Sequence, residues 1–294
     1  MSSPTRAATR HVDEAPPEAL FVLSAVSLYL GTSVAVLLFD RMPPGAVAWL
    51  RVSAAALIVV VARRSWRRRW TSVDLAWAAA FGTTLAAMNL SFYLAADRLD
   101  LGSGVAIEFV GPIAVAVFGA RSPRNVSALA LAVGGVLLLS TFGTGEQRTG
   151  VVFALLAGAL WAGYIVLGSR VATGAAVDGL GVGMAFGAVA IAPFGVGGLG
   201  PIAAEPWLLG ACGAVGLLSN AIPYGLDQLV LQRLPVARFA LLLALLPATA
   251  VVMGLVVLGQ VPSLLDALGI GLVIAAILVR DRTGEAVDPA VAEG

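Results

Sequence analysis

Ten apolar stretches follow one another along the chain, each about as long as a helix needs to cross the hydrocarbon core of a bilayer. They run over residues 19–39, 44–62, 75–99, 102–120, 126–142, 151–167, 179–196, 207–231, 236–258 and 264–279, with short polar connections between them. Backbone in lipid must satisfy its own hydrogen bonds, so runs of this length predict helices, whereas an outer-membrane barrel would show short alternating segments. Composition agrees: 59% of the residues are hydrophobic and 12% charged, against roughly 45–50% and 25% in a soluble domain. The expected fold is an all-α integral membrane protein with ten transmembrane helices, and the loops leave no room for a soluble catalytic domain. The first run has no small-residue cleavage site after a short apolar core, so it is read as an uncleaved helix and not as a removed leader.

The charges orient such a bundle. All eighteen basic residues are arginine. If the ten runs alternate in direction, Arg6, Arg10, Arg63, Arg64, Arg67, Arg68, Arg69, Arg121, Arg124, Arg170, Arg233, Arg238, Arg280 and Arg282 share one side, and only Arg41, Arg98 and Arg148 fall opposite. By the positive-inside rule both termini are cytoplasmic, in a multi-pass protein of the cell (inner) membrane. The Arg63 to Arg69 cluster sits beside a helix end, where it serves as a topology anchor drawn to anionic lipid. Thr71 with Asp74, and Ser263 with Asp266, have capping-box spacing just ahead of apolar runs and predict two helix starts.

Several chemistries are excluded. A net charge of +1 gives no basic face for nucleic acid. The single cysteine, Cys212, permits no internal disulfide, and the single histidine, His11, lies in the polar tail, so neither a metal centre nor a histidine triad is expected. There is no lysine and no G-x-x-x-x-G-K-[ST] pattern, hence no site for ATP, and no cofactor is expected. The partners this leaves are the lipid bilayer, protons and a small-molecule substrate.

The chain also repeats itself. Met88-Asn89-Leu90-Ser91-Phe92-Tyr93 in the third run is echoed by Ser219-Asn220-Ala221-Ile222-Pro223-Tyr224 in the eighth, each with Asn and Tyr four residues apart. Tyr29-x-Gly31-Thr32 answers Trp161-x-Gly163-Tyr164, and Pro112 answers Pro247 as a helix-breaking proline. The expected organisation is a cytoplasmic tail (1–18), a first five-helix repeat (19–142), a second (151–279) and a second tail (280–294). Because five is odd, the second copy enters the membrane inverted, the arrangement of many secondary transporters, with a binding site near the midplane.

Polar groups at membrane depth mark the candidate site, since each must find a partner or water. Glu108 lies inside the fourth run, one turn before Gly111-Pro112 where the proline loosens the helix. It is the first candidate for proton coupling, and Asp227 is the second. Asn89, Tyr93, Asn220 and Tyr224 are candidates to hold a polar substrate, with Asn220, Tyr224 and Asp227 on one stripe at i, i+4 and i+7. Trp161 and Tyr164 can stack on it. Arg51 is expected to pair with Asp40, Asp97 or Glu108, or to extend outward. Gly31, Gly158, Gly163, Gly183 and Gly187 permit close helix approach.

The segment Gly104-Val-Ala-Ile-Glu108-Phe-Val-Gly-Pro112, with Asn89 to Tyr93 before it and Leu160-Trp161-Ala-Gly-Tyr164 after, resembles the threonine/homoserine exporter branch of the EamA-type drug/metabolite transporters. Ala221-Ile-Pro-Tyr224, Arg233-Leu-Pro235 and Leu258-Gly259 extend the match. The resemblance implies a ten-helix inverted-repeat carrier that exports amino acids or related small metabolites, coupled to protons. Leu246 and Gln260 stand where that family usually has acids, which concentrates the proton hypothesis on Glu108. Two alternatives remain open at this stage: an importer, or an exporter of drugs or other metabolites, on the same scaffold; and a non-transporting membrane scaffold or receptor.

Overall fold

Three of the apolar runs do not form continuous α-helices, and a proline accounts for each interruption. The structure, a computed structural model, describes residues 15–119, 121–141, 145–171, 176–234 and 236–280; the tails with Arg6, Arg10, His11 and Arg282, together with Pro235, lie outside the described residues. All regular structure among the described residues is helical. In chain order the α-helices are α1 (Pro17–Leu38), α2 (Pro44–Arg63), α3 (Ser72–Ala96), α4 (Leu101–Glu108), α5 (Val110–Gly119), α6 (Pro123–Thr141), α7 (Gly145–Val171), α8 (Ala176–Gly195), the short α9 (Gly200–Ala204), α10 (Trp207–Gly216), α11 (Ile222–Arg233), α12 (Val236–Leu242), α13 (Leu245–Leu258) and α14 (Leu264–Val279). One wider π turn, Leu217–Ala221, joins α10 to α11.

Proline has no N–H for the carbonyl four residues back, and its ring crowds that carbonyl. Pro112 therefore strands the carbonyl of Glu108, and the chain breaks at Phe109 between α4 and α5. Pro223 strands that of Ser219 within the π turn. Pro247 strands that of Leu243, where α12 gives way to α13. Pro193 lies inside α8 without interrupting it, and elsewhere proline favours helix starts. Pro17 and Pro44 sit in the first turns of α1 and α2, where no intrahelical N–H is required.

Both capping boxes form. Thr71 Oγ1 accepts from the Asp74 N–H at 3.1 Å while Asp74 accepts from the Thr71 N–H at 3.1 Å. Ser263 and Asp266 exchange the same bonds at 3.0 and 3.2 Å. Each box satisfies two otherwise orphaned donors, an effect of about 1 kcal/mol.

Eight helical segments are long and apolar enough to cross a membrane, and α13 and α14 are shorter apolar helices. This is a multi-pass membrane protein. The segment Leu101–Gly119 is its centre: 72% of its apolar window is buried, against 28% for Pro123–Ser140 and for Gly145–Leu167. Around it the helices close on small residues. A Cβ built on Gly111 would fall inside the backbone of Gly158 on α7, and one on Gly82 inside the backbone of Gly183 on α8. Gly187 meets Gly82 and Ala86, and Gly31 meets Leu218 and Ser219, whereas Gly163 has only an ordinary contact with Thr84. Backbones can approach this closely only without side chains between them.

Gly111→Ala is expected to force α5 away from α7 and to destabilise the protein by about 1–3 kcal/mol through overpacking. Gly213→Ala in α10 meets nothing within 4 Å and is expected to be neutral or to stabilise by up to about 1 kcal/mol. Melting midpoints in one detergent would check both, and equal midpoints would refute the close-packing account.

Candidate functional site

The stranded carbonyls of the π turn are taken by side chains from two other helices, and those bonds assemble a polar centre. In a π turn each N–H reaches five residues back. The Ile222 N–H accordingly bonds the Leu217 carbonyl, which leaves the carbonyl of Leu218 without its usual donor. Ser27 on α1 donates to it at 2.7 Å. Arg51 on α2 donates from Nη2 to the Ser219 carbonyl stranded by Pro223, at 3.2 Å. The guanidinium also donates to Asn220 Oδ1, from Nη2 at 2.7 Å and from Nε at 3.2 Å. Its flat face lies over the Tyr93 ring, 4.9 Å from the centroid, a cation–π contact of about 2 kcal/mol when desolvated. Arg51 is 4% exposed, Asn220 1% and Tyr93 0%, so this group is sealed from bulk solvent.

Arg51 does not pair as its sequence suggests. Among the described residues no carboxylate oxygen lies within 4.0 Å of it, Asp40, Asp97 and Glu108 included. Asp97 bonds Arg98 at 3.1 Å instead. The reason is positional: the carbonyl freed by Pro223 and the amide of Asn220 reach the guanidinium first. Glu108, 8% exposed, ends α4 and makes no hydrogen bond to a described residue. It lies within electrostatic reach of Arg51, Tyr29 and Tyr224. Asp227 accepts from Ser24 Oγ at 2.7 Å and is in electrostatic reach of Tyr164 and Tyr224. All four tyrosines of the chain thus gather around two carboxylates and one arginine.

Other candidates sit at the margin. Asn89 donates its amide to the Leu85 carbonyl of its own helix at 2.8 Å. Trp161 packs edge-on against Phe109 at 4.9 Å, and Tyr164 lies tilted by 33° against Phe81 at 4.7 Å. Ser24, Ser27, Tyr29 and Ser219 are members that sequence reasoning did not name as site candidates. Their signals are the spacing of Ser24 and Ser27, three residues apart on one face of an apolar helix, and the repeat motifs that contain Tyr29 and Ser219. Among the described residues no three of His, Cys, Asp or Glu gather as a metal site.

Comparison with known proteins gives the family. Residues 148–280 match the EamA-like transporter family. Over 264 residues, 88% of this chain and 89% of the relative, the sequence is 34% identical to the threonine/homoserine exporter RhtA of Escherichia coli (strain K12). Identity and coverage are the same for the threonine/homoserine exporter RhtA of Salmonella typhimurium (strain LT2). The chain belongs to the EamA-like transporter family. It is an RhtA-like transporter and not an enzyme. A solved crystal structure 19% identical in sequence shares the fold, with a TM-score of 0.56 over 92% of this transporter and 99% of that chain.

A vestibule of about 490 Å³ opens at the end of the bundle away from the start of α1. Asp40, Asp97, Asp100 and Asp266 line it together with Arg98, Gln147, Gln260 and Phe39. The Phe39 ring meets Tyr93 edge-on at 5.6 Å, so the vestibule floor abuts the polar centre. Gln260 accepts from the Leu101 N–H at 2.9 Å and caps α4 from 159 residues away. Asp100, at the N-cap of α4, makes no capping bond. Burial, and secondarily the charge of Asp266, hold its carboxyl above the usual carboxylate range.

Two predictions follow from these local arrangements. Pro223→Ala restores an N–H to the Ser219 carbonyl, so the helix is expected to regularise and gain up to about 3 kcal/mol, while Arg51 loses an acceptor; an unchanged or lower melting midpoint would contradict this. For Asp100 the folded form holds its proton more tightly than the unfolded chain. Stability is therefore lost as pH rises from the ordinary carboxylate value through the raised one. Asp100→Asn is expected to raise the midpoint at pH 7 and to change it little at pH 4.

Proposed function

We propose that this transporter crosses the inner membrane ten times, with α4–α5, α10–α11 and α12–α13 each counting as one broken crossing. The two stretches 19–142 and 151–279 are inverted five-helix repeats, and both termini are cytoplasmic. It exports small amino acids of the threonine and homoserine kind against inward proton movement. The substrate class comes from what the E. coli and S. typhimurium relatives are named for. One observation carries the reading: Glu108, in the most buried segment of the bundle, has no hydrogen-bond or ion-pair partner among the described residues. An acid at membrane depth without a partner marks an ion or substrate pathway far more often than a structural contact.

In the proposed cycle Glu108 is loaded alternately by a proton and by substrate. Asp227, held by Ser24, is the second protonatable group, toward the other end of the polar stripe. Asn220 and Tyr224 face the substrate with Tyr93. Asn89, Trp161 and Tyr164 shape the wall around them. Broken helices suit such a site, because unwound backbone at membrane depth is tolerated where it lines a binding cavity.

Proteoliposomes preloaded with labelled threonine or homoserine test this directly. One unit of pH gradient supplies about 1.4 kcal/mol per proton, about tenfold in concentration ratio at one proton per substrate. Wild type is expected to drive efflux toward that ratio, and Glu108→Gln to exchange without responding to the gradient. Gradient-driven efflux that survives in the mutant would move the coupling away from Glu108. Folded protein that moves neither amino acid would remove the substrate assignment.

A further inference from the structure

The polar centre holds more hydrogen-bond donors than it uses. Arg51 has five N–H groups. Nε and Nη2 make the bonds to Asn220 and Ser219 described above, and Nη1 makes none. Because a guanidinium can only donate, it fixes Asn220 with Oδ1 toward itself and Nδ2 turned away. That Nδ2 is fully buried with no partner, and so is the hydroxyl of Tyr93, the ring on which the guanidinium lies. Three side chains from α2, α3 and the π turn thus carry unused donors within one buried group, around a positive charge with no carboxylate within 4.0 Å.

Such a cluster is satisfied by an anion. The Nη1 N–H groups, the guanidinium's donors without an acceptor, offer a charge-assisted hydrogen bond to a carboxylate oxygen. Asn220 Nδ2 and Tyr93 Oη supply the lateral donors. Glu108, when deprotonated, carries the opposite charge; it lies within electrostatic reach of Arg51 and its side chain makes no hydrogen bond to a described residue. A cation and an ionisable acid, close but not joined, complement a molecule carrying both charges.

Resting on the reading of this chain as an amino-acid exporter, we propose that Arg51, Asn220 and Tyr93 form the receptor for the substrate's α-carboxylate, opposite Glu108, which takes the α-ammonium. The pair selects zwitterions: amines that lack the carboxylate and acids that lack the amine each leave one buried charge unanswered. Specificity for α-amino acids is set by this head-group clamp, whereas the side chain meets the wall of Trp161 and Tyr164.

The test pairs ligand-induced stabilisation of purified protein with efflux, using threonine, its methyl ester and threoninol, in which the carboxylate is replaced by a hydroxymethyl group. Lactate and its methyl ester report the carboxylate receptor without an amine. Wild type is expected to be stabilised by threonine and, more weakly, by lactate, and by neither ester nor threoninol. Asn220→Asp keeps an acceptor for Arg51 but neutralises it, so the fold is expected to persist while stabilisation by threonine and lactate is lost. Tyr93→Phe keeps the ring and removes one donor, and is expected to weaken threonine binding about tenfold. Equal stabilisation by acid and ester, or full threonine binding in Asn220→Asp, would overturn the receptor even if transport stands. Lactate stabilisation without efflux of any amino acid would keep the receptor and sink the exporter reading. No stabilisation by any carboxylate would sink the receptor.

Discussion

A backbone carbonyl released by a proline inside a bilayer has no water to accept from, and where the helices break, the architecture depends on how three such carbonyls are answered. The Leu243 carbonyl, stranded by Pro247, is met locally: the Leu246 N–H reaches it at 3.1 Å by tightening the turn. That of Glu108, stranded by Pro112, lies against Gly158, whose lack of a side chain lets α7 cover it. That of Ser219, stranded by Pro223, is answered from another helix by Arg51. The third solution is the one that brings a charge to the centre of the protein. The π turn repeats it at Leu218, where Ser27 ties α1 to the same spot.

The consequence is electrostatic. A closed Arg–Glu pair at this depth would be held by strong mutual attraction, and opening it would leave two bare charges. Here backbone and amide oxygens solvate the guanidinium, the Tyr93 ring supports its face, and Glu108 remains apart. The protein thus keeps a cation and a protonatable acid in the same apolar surroundings without joining them.

Much of the fold is legible in the sequence because lipid imposes one rule on every run. The capping boxes at Thr71 and Ser263 mark their helix starts, and the Glu108-to-Pro112 block is among the motifs that carry the family resemblance. What is not legible is which acceptor a buried cation reaches. Arg51 has three acids within plausible reach by position in the chain, and it chooses an amide and a carbonyl instead. That choice depends on the π turn, which shifts Asn220 relative to the regular stripe drawn through Tyr224 and Asp227 and has no pattern in the residues beyond a proline. Ser24 and Ser27 are hard to foresee for a related reason: serine in an apolar helix usually bonds its own backbone, and only the three-dimensional proximity of α11 and the π turn gives them other acceptors.

Gln260 caps α4 with a neutral amide in a vestibule where four aspartates face one arginine. A carboxylate there would accept the same N–H, but it would add a fifth negative charge beside Asp100 and Asp266. Even with the amide, the mouth carries a net negative field that enriches cations over the bulk and falls away with added salt. The pH felt at the floor of the vestibule, beside Phe39 and Tyr93, is therefore lower than the pH of the buffer outside. Added salt shrinks that difference.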